Sequence, residues 1–357
     1  MSTRTVSRGA AVKRVAAPRV SSPTALGARR ARNGGSGHGR FVKIQRERLL
    51  AAAVGAVDEL GYADTTVGDI TSRARVSRRT FYEIFPDREA CLAAVLEDVL
   101  ALIAAELEAA GLQELAWRER IRKGLWTVLS FLDHEPALAR VCVVQALRGG
   151  PQVLERREEI LAQLATVVDE GRLLSPRGAR CTPMTAEGLV GAAFTIVYAR
   201  LLKGERRPLT GLLGELMGMI VLPYQGAGAA GREQVRPAPV PSTRTARRDK
   251  GPAAEGVTDP LGGVEMRLTY RTARVLEGIA ELGGRGSSPS NREVGDYAGI
   301  PDPGQVSKLL ARLERLGLLT NGSARAKGEP NAWALTAVGD QVARRLSVVT
   351  SDREAAA

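Results

Sequence analysis

Residues 76–92 are the part of the sequence whose residue types and spacing most clearly indicate a binding function. The segment reads VSRRTFYEIFPDREACL and places Phe81, Tyr82 and Phe85 within five positions, although aromatic residues make up only 4% of the chain. A cluster of aromatics beside two adjacent arginines needs an explanation in terms of binding or packing.

A short helix provides that explanation. Phe81 and Phe85 are four residues apart and share one helical face, whereas Arg78, Arg79 and Tyr82 fall on the other face. A helix of about two turns is not stable by propensity alone and needs large apolar anchors. Guanidinium groups and a phenol can meet guanine edges and phosphates. The pattern therefore predicts two anchoring phenylalanines beneath a nucleic-acid-binding face.

The neighbouring sequence contains the start signals of several helices. A helix is predicted from Phe41 to Leu60. Thr66 and Asp69 form a capping-box pattern, and Ser77 and Asp87 are further N-cap candidates. Two short capped helices about three residues apart predict a helix-turn-helix.

These residues carry a resemblance to a known family. The stretch LLAAAVGAVDELGYADTTVGDITSRARVSRRTFYEIFPDREACLAAVL resembles the N-terminal DNA-binding domain of TetR-family transcriptional regulators. The resemblance implies an all-α homodimer whose later helices bind a ligand and form the dimer. By position it also implies DNA contacts from Thr66, Arg78, Arg79, Thr80, Tyr82 and Arg88. The sequence departs from the family pattern at Arg75, where the family usually has glycine, and at Glu83 and Ile84, onto which no contact is carried.

Residues 89–224 are predicted to form the helical ligand-binding and dimerisation domain that follows the DNA-binding domain at 40–88. Two wide apolar faces in 187–222 predict the dimer surface, which the family resemblance also places there. Five aromatic residues could line a pocket for a small apolar effector, and core packing is the alternative reading for each. They are Trp117, Trp126, Phe131, Phe194 and Tyr198.

Residues 259–357 are predicted to form a second compact unit, with the order of elements found in a class of DNA-binding domains. Helical periodicity, a Ser290–Glu293 capping box and an Asn321–Gly322 turn signal predict three helices, a two-stranded wing and a last helix. This unit resembles the winged helix-turn-helix of MarR-like regulators. Candidate DNA contacts are Gln305, Ser307, Lys308, Arg312, Arg325 and Lys327. Its 13 basic and 12 acidic residues leave almost no net charge, so a protein-interaction module is the alternative.

The remaining segments are predicted to lack a packed core. Residues 1–39 hold eight basic and no acidic residues, which predicts a disordered, phosphate-attracting arm, with an organelle transit peptide as the alternative. Residues 225–258 are rich in Pro, Gly and Arg and predict a linker. The GAGAAG match at 226–231 lacks the strand–turn–helix context of a dinucleotide site.

Composition reduces the number of function classes that fit the sequence. The net charge is +12, only two histidines and three dispersed cysteines occur, and no nucleophile or metal-ligand cluster is visible. We therefore expect no enzyme activity, metal or cofactor, no membrane span, and a bacterial cytoplasmic, nucleoid-associated location. The predicted function is an effector-controlled regulator that acts as a repressor on a palindromic operator in double-stranded DNA. A sequence-neutral architectural DNA binder and an apolar-ligand-binding protein with vestigial DNA contacts are the alternatives.

Overall fold

The computed structural model describes residues 25–204, 207–239, 266–284, 288–322 and 331–348, with side chains from His38 onward. The chain divides into a short N-terminal unit, Met1–Gly39, and a large unit, Arg40–Ala357. Of the short unit, the helical backbone from Ala25 is described, together with the side chain of His38.

Three helices build the predicted DNA-binding domain. They are α1 (Ala25–Leu60), α2 (Val67–Ala74) and α3 (Arg78–Ile84). Thr66 and Ser77 cap α2 and α3 as predicted, because each side chain accepts a hydrogen bond from a backbone amide in the first turn.

The predicted start of the first helix was wrong. α1 begins at Ala25 rather than Phe41, so the predicted disorder does not hold for residues 25–39. The segment ALGARRAR supplies alanine and arginine, which have high helix propensity. The rest of that prediction, residues 1–24, lies outside the described part of the chain.

The middle domain is helical throughout. Its elements are α4 (Arg88–Ala109), α5 (Trp117–His134), α6 (Pro136–Ala139), a π-helical turn (Arg140–Val144), a 3-10 turn (Gln145–Arg148), α7 (Pro151–Asp169), 3-10 turns at Glu170–Leu174 and Gly178–Arg180, α8 (Pro183–Lys203), a 3-10 turn at Leu209–Leu212, and α9 (Leu213–Gln225).

A further helix, α10 (Ala227–Val235), occupies the segment predicted to be a linker. It packs closely on α9, since a Cβ atom added at Gly214 would lie 2.6 Å from the carbonyl oxygen of Gln234. Glu233 of α10 is 2% exposed and forms an ion pair with Arg122 of α5, Oε2 to Nη1 at 2.9 Å. The linker prediction is thus wrong for 227–235, and residues 240–258 lie outside the described ranges. In the GAGAAG match, Gly226 is the N-cap of α10 and residues 227–231 are helical, and a helix, α9, precedes it.

The C-terminal part follows the predicted order of elements. It consists of α11 (Tyr270–Gly283), α12 (Asn291–Ala298), α13 (Pro303–Arg315), β1 (Leu319–Asn321), β2 (Trp333–Leu335) and α14 (Ala337–Val348). The strands are antiparallel, with Thr320 opposite Ala334. α14 lies so close to β1 that a Cβ atom at Gly339 would be 1.9 Å from the Leu318 carbonyl oxygen. Only glycine fits at that contact.

Two separate hydrophobic cores result. The larger joins the C-terminal half of α1, from Leu49 onward, to the middle domain. The smaller belongs to the C-terminal elements and includes one residue from far away in the sequence, Ile44 of α1.

Candidate nucleic-acid interface

The first element of the interface is the capped start of α2. The Thr66 amide donates to Asp69 Oδ2 at 2.8 Å, and the Asp69 amide donates to Thr66 Oγ1 at 3.2 Å. The hydrogen bonds from the Thr66 hydroxyl and amide hold the pKa of the Asp69 carboxyl below its ordinary value. Thr66 is exposed and therefore lies at the surface where α2 begins.

The turn between α2 and α3 depends on an unusual backbone conformation. Arg75 has φ 51° and ψ 39°, which lie in the left-handed region that glycine adopts most readily. The following amide, that of Val76, donates to the carbonyl oxygen of Thr71 at 3.0 Å. The turn keeps its geometry despite the side chain.

α3 separates its residues into two faces as predicted. Phe81 is fully buried and Phe85 is 6% exposed, whereas Tyr82 is 56% exposed. The Tyr82 ring packs edge-on against Phe81, with ring centroids 5.4 Å apart. Arg78 and Arg79 are exposed. The outer face of α3 thus offers two guanidinium groups and a phenol from a rigidly anchored helix.

Arg79 and Thr80 form hydrogen-bond contacts with residues three or four positions away in the sequence. Arg79 Nε donates to Glu83 Oε1 at 2.9 Å, but its side chain remains 89% exposed, so this pair is weak and easily exchanged. Thr80 is half-buried and its Oγ1 lies 2.7 Å from Ser77 Oγ.

Arg88, the last predicted DNA contact of this domain, is half-buried and hydrogen-bonded to the α1–α2 corner. Its Nη1 donates to the Tyr62 and Ala63 carbonyl oxygens at 2.9 and 3.3 Å, and also to that of Thr65. Its guanidinium carbon lies 4.3 Å above the centre of the Tyr62 ring. Carbonyl oxygens and an aromatic face thus hold the Arg88 guanidinium at the corner between α1 and α2, and its DNA contact stays a prediction.

The C-terminal unit presents a second polar surface on α13. Gln305, Ser307, Lys308 and Arg312 are all exposed there. The other two predicted contacts, Arg325 and Lys327, lie outside the described residues. Val306, Leu310 and Leu313 are buried beneath this surface.

Sequence reasoning missed the residues that connect α13 to the strands. Asn291 Nδ2 donates to Ser307 Oγ at 3.0 Å, and Asn291 Oδ1 accepts from Trp333 Nε1 at 2.6 Å. Asn331 Nδ2 donates to the same Asn291 oxygen at 3.2 Å. The Ser290 capping signal locates Asn291 at a helix start, but only the tertiary fold brings it between α13 and β2.

The five aromatics predicted to line an effector pocket divide into two groups. Trp117 and Phe131 are 5% and 3% exposed, and Trp117 Nε1 donates to the Val167 carbonyl oxygen at 3.0 Å. Both are core residues, and their place in an effector pocket stays a prediction. Trp126, Phe194 and Tyr198 are half-buried against the core, and the Arg157 guanidinium lies 4.4 Å above the Phe194 ring.

Two open clefts lie beside the connection between α7 and α8, each of about 550 Å³. One is lined by Arg172, Leu173, Leu174, Ser175, Pro176 and Ala179, and the other by Pro176, Arg177, Arg180, Cys181 and Pro223. None of the five predicted aromatics lines either cleft.

Comparison with known proteins identifies the domain. The family described as "Bacterial regulatory proteins, tetR family" matches residues 49–95. The regulator Mb2274c of Mycobacterium bovis is 31% identical over 144 residues, which are 38% of this chain and 74% of that protein. RutR of Escherichia coli K12 is 26% identical over 131 residues, 37% of this chain. That match covers only 60% of the length of RutR.

Solved structures also align with this chain, at lower sequence identity. FadR from Bacillus halodurans is 18% identical with a TM-score of 0.45, over 49% of this chain and 94% of its own. FadR from Bacillus subtilis, solved with stearoyl-CoA, is 19% identical with a TM-score of 0.44, over 49% and 97%.

A capped helix, a tight turn and a short anchored helix with exposed arginines define a helix-turn-helix protein. The chain belongs to the TetR family of bacterial transcriptional regulators. The predicted mainly helical, TetR-like fold is confirmed.

Proposed function

We propose that the protein is a sequence-specific regulator that places α3 in the major groove of double-stranded DNA. The observation that carries this proposal is the division of α3 into a buried phenylalanine face and an exposed face with Arg78, Arg79 and Tyr82. In a helix-turn-helix, the second helix reads base edges in this way. Thr66 and Thr80 are proposed as supporting phosphate contacts.

A homodimer through 187–222 would provide two such helices. Among the described residues, α8 is the one helix long and apolar enough to cross a membrane by length and composition, and only 17% of its most apolar window is buried. Leu202 of α8 and Leu222 of α9 are 60% and 48% exposed. We assign this uncovered apolar surface to a second copy of the chain. Two copies would hold their α3 helices about 34–36 Å apart, as a palindromic operator requires.

Effector control would act through contacts between the middle domain and the DNA-binding domain. The Tyr62 amide at the α1–α2 corner donates to Gln145 Oε1 at 3.1 Å, and Arg140 is paired with Asp58 of α1. Both partners come from the π-helical and 3-10 turns after α6. A small apolar effector beside Trp126, Phe194 and Tyr198 would shift these turns, separate the α3 helices and release the operator, which makes the protein a repressor.

The C-terminal unit is proposed as a winged helix of the MarR-like type that reads flanking DNA. Its support is the exposed polar face of α13 together with the Asn291 hydrogen bonds that hold the strands against that helix. A protein-interaction module remains the competing role for this unit.

The test is selection of bound DNA from a random pool at about 150 mM salt, where surface charges more than roughly 8 Å apart are screened. The expected result is a shared palindrome with wild-type protein and its loss in the Arg78→Ala/Tyr82→Ala variant. Arg232→Ala, which removes an exposed arginine from α10, is the control and should retain the palindrome. Binding without any enriched sequence, lost steeply with salt in all three proteins, would establish the architectural alternative instead.

A further inference from the structure

The first turns of α1 in the large unit carry a face that the DNA-binding domain does not use. Phe41, Ile44, Gln45 and Arg48 have the i, i+3, i+4, i+7 spacing of one helical stripe. Ile44, Gln45 and Arg48 are each 1% exposed. The residues that bury this stripe come from the start of the C-terminal unit.

The contacts across this surface are both apolar and polar. Ile44 is part of the C-terminal core with Met266 and Leu268. The Phe41 ring packs edge-on against Tyr270, with ring centroids 5.7 Å apart.

The polar contacts involve buried side chains. Gln45 Nε2 donates to the Leu268 carbonyl oxygen at 3.2 Å, and both terminal nitrogens of Arg48 lie 3.4 Å from the Met266 carbonyl oxygen. Burying a guanidinium and an amide is unfavourable unless hydrogen bonds replace their water. The carbonyl oxygens of residues 266 and 268 supply those hydrogen bonds only while the C-terminal unit stays in place.

We propose that the stripe Phe41–Arg48 is a docking surface by which the DNA-binding domain holds the C-terminal unit through its segment 266–270. The two DNA-binding units then form one body rather than two bodies joined by a flexible tether. This inference deepens the proposed second DNA reader, and its functional consequence rests on that proposal. A docked reader contacts DNA at one fixed distance from α3, whereas a tethered reader accepts a range of distances.

The docking surface can be tested without DNA. A protease recognition sequence is inserted after Arg248 in the full-length protein, the purified protein is cut, and the fragments are separated by size-exclusion chromatography under native conditions. The expected result is that the C-terminal fragment co-elutes with the remainder. Elution of the uncomplexed C-terminal fragment at micromolar concentration would overturn the proposal.

Single substitutions test which residues hold the fragment. Ile44→Asp places a charge in the C-terminal core and should release the cut fragment, while Val42→Asp should not, because Val42 is 37% exposed on the same helix turn. Circular dichroism checks that the Ile44→Asp protein is still helical. If both variants retain the fragment equally, the stripe does not hold the unit and the proposal fails.

DNA selection then separates this inference from the proposed function. A docked second reader predicts one invariant spacer between palindrome and flank with wild-type protein, and several spacers with Ile44→Asp. Variable spacing with wild-type protein would overturn docking while leaving the second reader intact. Co-elution of the fragments with no flanking sequence would leave docking intact and overturn only the second reader.

Discussion

Arg140 and Asp58 form a double hydrogen-bonded ion pair, with Nε to Oδ1 at 2.6 Å and Nη2 to Oδ2 at 2.7 Å. The pair joins the π-helical turn after α6 to the last turns of α1. The Asp58 carboxylate also raises the pKa of the Arg140 guanidinium through this hydrogen bond. Together with the Gln145–Tyr62 hydrogen bond, it is a direct connection between the middle domain and the corner that leads into α2.

We expect Arg140→Ala to loosen this connection. Because the Arg140 side chain is 44% exposed, the free energy of unfolding should fall by only about 1 kcal/mol. Hydrogen exchange of the Tyr62 amide should become faster, since the turn that carries Gln145 is no longer fixed. Mass-spectrometric exchange on peptides spanning 58–66 measures this.

Arg156→Ala is the matched control for that variant. Arg156 also donates from two nitrogens to one carboxylate, with Nε to Glu97 Oε1 at 2.6 Å and Nη2 to Glu97 Oε2 at 3.2 Å. This pair joins α7 to α4 inside the middle domain. Exchange at Tyr62 should be unaffected by it. Equal acceleration by both variants would show that Arg140 has no specific connecting role.

Glu233→Gln should strongly destabilise the protein. Arg122 and Glu233 have side chains only 3% exposed, and removing one charge leaves the other buried without its counterion. Such a loss costs about 3–5 kcal/mol, which thermal and urea unfolding would detect. Glu119→Gln, whose side chain is 41% exposed in its pair with Arg236, should cost less than about 1 kcal/mol. Similar losses in both variants would contradict the prediction.

Arg75→Gly should stabilise the DNA-binding domain. A non-glycine residue in the left-handed region is strained by about 1 kcal/mol, and glycine adopts φ 51° without that strain. Arg75→Ala is the control, because it removes the same side chain and keeps the strain. In urea unfolding, the free energy of unfolding of Arg75→Gly should exceed that of Arg75→Ala by about 1 kcal/mol. A lower free energy of unfolding for the glycine variant than for the alanine variant would refute the argument.

The α2 cap should respond to acid. Because the folded pKa of Asp69 is lowered, its contribution to stability is present above the unfolded value of about 3.9 and is lost as pH falls through the folded pKa. An NMR titration of the Asp69 carboxyl should show this low pKa in the wild type. Thr66→Ala should raise it towards about 3.9, and Thr66→Ser should keep it low because the hydroxyl remains. An unchanged pKa of Asp69 in Thr66→Ala would show that the Thr66 hydroxyl does not lower that pKa.

The features predicted correctly from the sequence are those determined by neighbouring residues. N-caps at Thr66, Ser77, Asp87 and Ser290 all appear where the sequence places them. A cap requires only a side-chain oxygen and an amide three residues or fewer away. The same local logic predicted the two faces of α3.

The features that were missed depend on partners distant in the sequence. α10 forms in the segment whose Pro, Gly and Arg content predicted a linker, because Glu233 pairs with Arg122, 111 residues earlier. The hydrogen bonds from Arg88 to the Tyr62 and Ala63 carbonyl oxygens of the α1–α2 corner likewise join residues 25 or more positions apart. The surface of α1 that holds the C-terminal unit has ordinary amphipathic periodicity, and no local pattern states which segment covers it.

The participation of Ile44 in the C-terminal core has a consequence for synthesis of the chain. Its neighbours in that core, Met266 and Leu268, are more than 200 residues further along the sequence. At about 5–20 residues per second, a ribosome takes roughly 10–45 s to cover that interval. During this time the apolar stripe of α1 has left the ribosome without the segment that covers it. A message truncated before residue 266 therefore yields a DNA-binding domain in which the α1 surface around Ile44 stays exposed. We expect such a protein to bind chaperones and to aggregate.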